Sequence, residues 1–412
     1  MSRILYLYTF VLLLFVMGEI QGAPVQVFKL SPDQSIEQIR DEIRSWRAAD
    51  PARKTIPVEV RIPDGSWFFD KTVDLGPQDS NVSWIADGKA IFTRGKKITG
   101  WKINKQGWFE VDLPEVAQGK WRFEQLYVNG RRAVPAASPN EFYHYILNEV
   151  ECLKDPATGK IIPASHRAFI PRESEEKYFE AIAKKDPVKY PMRDVQIKFY
   201  HSWATSLHRI ESYDPKTKTV LLTGDCRWNL TYWGIGKLRY QIMGLKEALD
   251  QPGEFYLDRS GTLTYIPQKG ETPENTAIIA PIGPCSFENS GFFRILGDLN
   301  AITADQKPAS ASYVSGIRFS GITFTVDLFT LPEEGLSTGQ AATNTPISIL
   351  IEGARNIEIS NCEFTHLGGY AIWFHRACSD SNIERCLMED LGAGGIRIGT
   401  PLRDISIQKD AL

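Results

Sequence analysis

The chain has 412 residues, of which 42% are hydrophobic, and 47 Lys and Arg against 50 Asp and Glu leave a formal net charge of −3 at pH 7. That length allows two or three domains, and that apolar content allows real cores. The balance of charge, with no basic patch, argues against a nucleic-acid partner. The 6 cysteines are too sparse for a disulfide scaffold, and none forms a CxxC of the metal-binding type.

Residues 1–22 read as a secretory signal peptide: a charge at Arg3, an apolar core over 4–17, and small residues at Gly18, Gly22 and Ala23. The core is too short to span a bilayer, and no later segment is apolar enough to do so. The expectation is a secreted or periplasmic monomer with no membrane contact after cleavage. A membrane anchor is the other reading of this segment. Ser31-Pro-Asp-Gln34 looks like a capping box with proline at the first helical position. Ile36, Ile39, Ile43 and Trp46 then line one helix face, and Pro51 ends it. Strands follow at 58–62, 67–69 and 72–75, with the turn Pro63-Asp-Gly65 between the first two, and short apolar runs continue to Ile98.

Over 119–280 the grammar changes. Strands are expected at 121–139, 196–208, 220–222 and 254–257, with turns at Asp214-Pro215, Gly253 and Gly261 and a helix over 174–185. Ile278, Phe292 and Ile317 resume the shorter period. Residues 328–345 are a polar insertion suited to a wall or lid over a groove.

The last stretch repeats. Cys362 and Cys386, His366 and Asp390, and Ile372 and Ile396 all stand at one offset, with Asn, Gly, Ser and Asp at the corners. A fixed period in the twenties points to stacked units, and strand-type apolar runs point to parallel strands. The expected fold is therefore all-β: a right-handed parallel β-helix (solenoid) with an N-terminal capping helix and an inserted β-rich domain. Its divisions are 1–22 signal peptide, 23–118 cap and first rungs, 119–280 insertion, and 281–412 further rungs. Cys362 and Cys386 then stack as an apolar thiol ladder, with a disulfide as the lesser alternative.

Stacking also brings chemistry together. His366 and Asp390 share one rung position, flanked by Gly368, Gly369, Gly392, Gly394 and Gly395, which would leave a groove floor open. Asp390 is the candidate catalytic acid, nucleophile or base, with His366 to polarise it or hold a sugar hydroxyl. The competing reading makes both residues strand-corner caps. Trp373 and Arg397 fall outward beside the stacked isoleucines, and His375 follows on that face. They are candidate substrate-binding residues, for a sugar ring and its carboxylate, or else a surface cation–π pair. No metal or other cofactor is expected: Glu384, Glu389, Asp390 and Asp404 do not converge by spacing as calcium would require. Signatures such as GxSxG are absent.

Several motifs come in an order that resembles a known family: Asp79-Ser80, Arg94 to Trp101, Leu126-Tyr-Val-Asn-Gly-Arg-Arg-Ala133, Ala248 to Asp258, and the glycine-rich stretches beginning at Leu367 and Leu391. The chain resembles exported right-handed β-helix proteins of the pectate-lyase superfamily, and within them glycoside hydrolase family 141, whose activities are α-L-fucosidase and xylanase. The resemblance implies a glycoside hydrolase acting on a cell-wall polysaccharide by carboxylate acid/base catalysis. It also implies further rungs, with catalytic carboxylates, beyond Leu412, so that this chain would be a fragment, possessing an uncapped last rung at Ile405 and Ile407 and open to being inactive. A polysaccharide lyase on the same fold, with a calcium cluster or a basic residue such as Arg397 to abstract the proton, and a non-catalytic glycan-binding or degenerate protein are the alternatives.

Overall fold

The structure, a computed structural model, describes residues 24–154, 158–230, 236–283, 291–299, 313–339, 341–342 and 344–399. The expected signal peptide, Cys285, Asp404 and the strand at Ile405 and Ile407 lie outside these. Among the described residues no helix is long and apolar enough to cross a membrane.

The helix runs from Ile36 to Ala48. Its cap is Ser35, not Ser31: Ser35 Oγ accepts the Gln38 N–H, and the Gln38 side chain accepts the Ser35 N–H. The box sits directly before the first apolar position, so the helix starts where its face starts to be buried. Ile36, Ile39 and Ile43 are buried. Arg47, one turn on, is buried too, with Nη1 donating to the Gln78 carbonyl at 2.8 Å.

The chain is all-β with mostly parallel sheets, as its short apolar runs suggest. The expectation of a right-handed parallel β-helix solenoid is not met. Among the described residues two parallel stacks of five or more strands are present. One joins Gln26–Lys29, Val58–Ile62, Val82–Thr93, Arg318–Thr325, Glu358–Ser360 and Asn382–Glu384 in that order, with Glu363–Leu367 and Leu387–Leu391 continuing from the same strands. The other joins Val73–Leu75, Phe293–Leu296, Ile347–Glu352, Tyr370–Phe374 and Ile396–Ile398. The period is local only. Thr365 meets Thr325 across 40 positions, whereas His366 meets Asp390 across 24. What overturns the solenoid is the middle of the chain. His144–Glu149, Ala168–Pro171, Thr219–Leu222, Thr205–Asp214, Gln196–Tyr200 and Arg239–Met243 pair antiparallel, each with the next, and the last pairs back to the first. That is a six-stranded closed barrel, and a barrel leaves no edge on which to stack a further layer. Ile278–Pro281, read as a resumed rung, instead pairs antiparallel with Gly95–Ile98.

Each part buries its own apolar set. The stacks enclose Trp84, Phe92, Phe293, Phe324, Phe364 and Ile372. The barrel encloses Phe169, Ile197, Phe199, Ile210 and Tyr240. The region read as one strand over 121–139 is broken into two-residue strands, among them Tyr127–Val128 and Arg131–Arg132. The 196–208 reading resolves into a hairpin, Gln196–Tyr200 and Thr205–Asp214. The expected helix is Glu173–Ala183. The corners are held in the left-handed region by Asn81, Asn356, Asn361 and Asp380, residue types that enter it most easily. The five described cysteines are free.

The barrel carries a pH dependence. His201 and His208 are 7% and 1% exposed, and burial pushes both imidazoles down to about 4. The unfolded chain takes up protons near 6.5, and the folded chain only near 4. Stability is therefore full above that window and falls as pH drops through it, by up to about 3 kcal/mol per histidine. Denaturation midpoints at pH 7 and pH 4.5 should show the loss, and His208→Gln should roughly halve the slope; an unchanged slope in both His208→Gln and His201→Gln would refute it.

Candidate active site

His366 and Asp390 do meet. Both have positive φ, 57° and 47°, at the ends of stacked strands whose register pairs Thr365 with Glu389 and Leu367 with Leu391. His366 Nδ1 lies 2.7 Å from Asp390 Oδ2. The other carboxylate oxygen accepts Arg132 Nε at 2.9 Å, and Arg132 Nη2 donates to the carbonyls of Asp390 at 3.0 Å and Leu367 at 3.1 Å. The Arg132 guanidinium also lies over the Tyr127 ring, 5.0 Å from its centre. Tyr127 in turn donates its hydroxyl to the His366 carbonyl at 2.8 Å and packs its ring on the imidazole at 5.0 Å.

Arg132 and Tyr127 arrive together because they are cross-strand partners. The turn between their strands is Asn129-Gly130, with φ of 49° and 73°, the type I′ geometry that suits a two-residue hairpin. Sequence reading found this Asn-Gly stretch but not its destination, which is set by a contact spanning 258 positions.

Burial works against ionising Asp390, but His366 and Arg132 outweigh it and hold the carboxyl below its ordinary range. Asp390 is thus an oriented anion, and its side chain remains 34% exposed. Such a carboxylate suits a base or nucleophile rather than an acid. Burial pushes the Tyr127 phenol well up, so it stays a proton-bearing donor.

The glycines serve closeness rather than an open floor. A Cβ on Gly368 would fall 2.5 Å from the Phe329 amide, one on Gly369 2.1 Å from the Pro346 carbonyl, and one on Gly392 2.1 Å from the Gly368 carbonyl. They let the insertion and the next layer press against the corner. The insertion packs on its neighbours: Phe329 exchanges hydrogen bonds with the Gln125 side chain, and Leu336–Ser337 pairs with Ser206 and Leu207 of the barrel. Between the barrel and the segments 122–135 and 255–257 is a cavity of about 250 Å³, lined by Arg122, Arg132, Asp194, Lys198, Tyr256 and Phe329 among others. Arg132 thus reaches both the cavity and Asp390.

Trp373, His375 and Arg397 form a second group, in the other parallel stack. Arg397 lies 3.8 Å above the Trp373 ring centre, the pairing the register implied. Trp373, however, is 1% exposed and donates to the Gly399 carbonyl at 2.8 Å, so its ring is not an open platform. His375 is bonded through Nδ1 to Glu352, which also accepts Arg376 Nη2 at 2.9 Å. Burial opposes ionising Glu352, yet His375 and Arg376 prevail and lower its pKa. Glu352 was not singled out in the sequence, although its partner Arg376 stands 24 positions on. Among the described residues no three His, Cys, Asp or Glu side chains are grouped to hold a metal ion.

No protein-family model matches the chain, and no curated protein matches it. Among solved structures, the chain is similar to one described as a glycoside hydrolase, with a TM-score of 0.67 and 18% identity over 90% of this chain and 67% of that chain. A second, described as the complex of XylC with xylose, gives a TM-score of 0.31 at 11% identity over 83% of this chain and 51% of that chain, a level that says nothing about fold. The fold is glycoside-hydrolase-like.

Proposed function

We propose that the protein is an exported carbohydrate-active enzyme, a glycoside hydrolase acting on a cell-wall polysaccharide. The observation that carries this reading is Asp390, an ionised carboxylate held by His366 and Arg132 beside a cavity. The likeness in fold to a glycoside hydrolase supports it. In this reading Asp390 attacks the anomeric carbon or deprotonates a water, the two roles open to the ionised member of a hydrolytic carboxylate pair. His366, with Nδ1 committed to Asp390, turns its second ring nitrogen to a substrate hydroxyl. Tyr127 and Arg132 position the pair. Hydrolysis also needs a proton donor across the scissile bond; in this reading Asp390 takes the ionised role.

The test is product analysis on xylan, fucosylated and uronate-rich polysaccharides. Reducing ends without unsaturated sugars, and no dependence on calcium, are expected. Unsaturated products would instead make the protein a lyase, and binding without turnover would make it a glycan-binding protein.

A further inference from the structure

The outer face of the barrel continues the cavity. Gln196–Tyr200 alternates, with Ile197 and Phe199 buried inside the barrel and Gln196, Lys198 and Tyr200 pointing out. On the next strand Arg239, Gln241 and Met243 point out in register with them: Gln196 opposite Met243, Lys198 opposite Gln241, Tyr200 opposite Arg239. Arg239 is also opposite Tyr145 on the third strand. Gln196, Lys198 and Met243 line the cavity. The face therefore runs without a break from the cavity wall to an aromatic end.

That end pairs rings with cations. Lys198 lies over Tyr200 at 5.1 Å, Arg239 over Tyr143 at 5.0 Å and Arg172 over Tyr145 at 5.2 Å. Tyr143 and Tyr200 pack at 4.7 Å. Among the described residues none of these three cations is paired with a carboxylate. The cavity's own acids are already taken: Glu124 by Arg209 at 2.8 Å, and Asp194 by Arg122 at 3.0 Å and by Arg259. The surface thus offers rings for stacking and uncompensated positive charge, in rows that lead to the cavity lined by Arg132, the partner of Asp390.

We propose that this face is a binding track for an anionic polysaccharide, one bearing uronate or sulfate groups, which it delivers to the Asp390 cavity. The rings stack on sugar faces, and Lys198, Arg239 and Arg172 meet the anionic substituents. The proposal deepens the hydrolase reading and rests on it for the destination of the chain, but its binding claim can be tested alone.

The experiment is calorimetric titration of the full chain with three probes: oligogalacturonate, a sulfated galactan oligosaccharide and a neutral xylo-oligosaccharide. One or both anionic probes should bind, more weakly as salt is raised, and the Lys198→Ala/Arg239→Ala double variant should lose about tenfold in affinity. Which anionic probe binds identifies carboxylate or sulfate as the recognised group. Both side chains lie on the outer face, so the melting temperature of the variant should match that of the parent. Equal binding of the neutral probe, or unchanged affinity in the double variant, would overturn the track. Binding that follows this pattern without turnover would overturn only the hydrolase reading. If turnover is found, the double variant should raise KM and spare kcat, and a fall in kcat alone would also count against the track.

Discussion

Asp390→Asn is expected to lower kcat by about 10²–10⁴-fold, the range for loss of a positioned acid–base group, while leaving the protein folded. Asparagine keeps the shape of the side chain and tolerates the left-handed backbone at φ 47°. It removes the negative charge that Arg132 and His366 enclose. The substitution therefore separates the two readings of this residue. A mere corner cap would survive it, since asparagine fills such corners elsewhere in the chain, at Asn356 and Asn361. Asp390→Ala should add a stability cost, because alanine is strained at positive φ and leaves Arg132 without its partner. Steady-state kinetics beside thermal melts would decide: an Asp390→Asn enzyme with normal kcat would remove Asp390 from the chemistry.

Phe324→Ala should cost about 3–5 kcal/mol of stability, the range for truncating a buried aromatic. Phe324 is fully buried and stacks on Phe364 at 4.9 Å with the rings 7° from parallel. It also meets Phe92 and Phe292 edge-on, each at 5.5 Å. Its strand, Arg318–Thr325, pairs with Val82–Thr93 on one side and with Glu358–Ser360 and Glu363–Leu367 on the other. Losing this ring opens a cavity where the layers before the barrel meet those after it. Chemical denaturation should show the loss as a lower midpoint, and a change under about 1 kcal/mol would mean the neighbouring rings close the gap.

The local readings that succeeded rest on short-range rules. Ile36, Ile39 and Ile43 mark their helix by spacing alone. The one-offset pairs at 362/386, 366/390 and 372/396 are real neighbours, because parallel strands in register place such residues side by side. The solenoid reading failed because one offset was taken as the rule for every stacked strand, whereas Thr365 meets Thr325 across 40 positions and His366 meets Asp390 across 24, and because the inserted β-rich stretch closes on itself. Residues 144–243 carry strand grammar too, but alternation does not say whether a strand's partner is parallel or antiparallel, or whether a sheet closes on itself. Trp373 was misjudged for a related reason: alternation sends it to the outer face of its strand, yet it is buried there.

The amino-acid sequence by itself determined the all-β character, the N-terminal helix, the Asn and Asp corners and the adjacency of His366 and Asp390, since each follows from contacts between near neighbours or from one repeated offset. Only the tertiary structure decided that the middle strands close into a barrel, that Arg132 and Tyr127 come to Asp390 and His366 across more than two hundred positions, and that Arg132 also lines a cavity. Those outcomes depend on which distant surfaces pack together, a choice made by total burial and shape rather than by any pattern a single stretch contains.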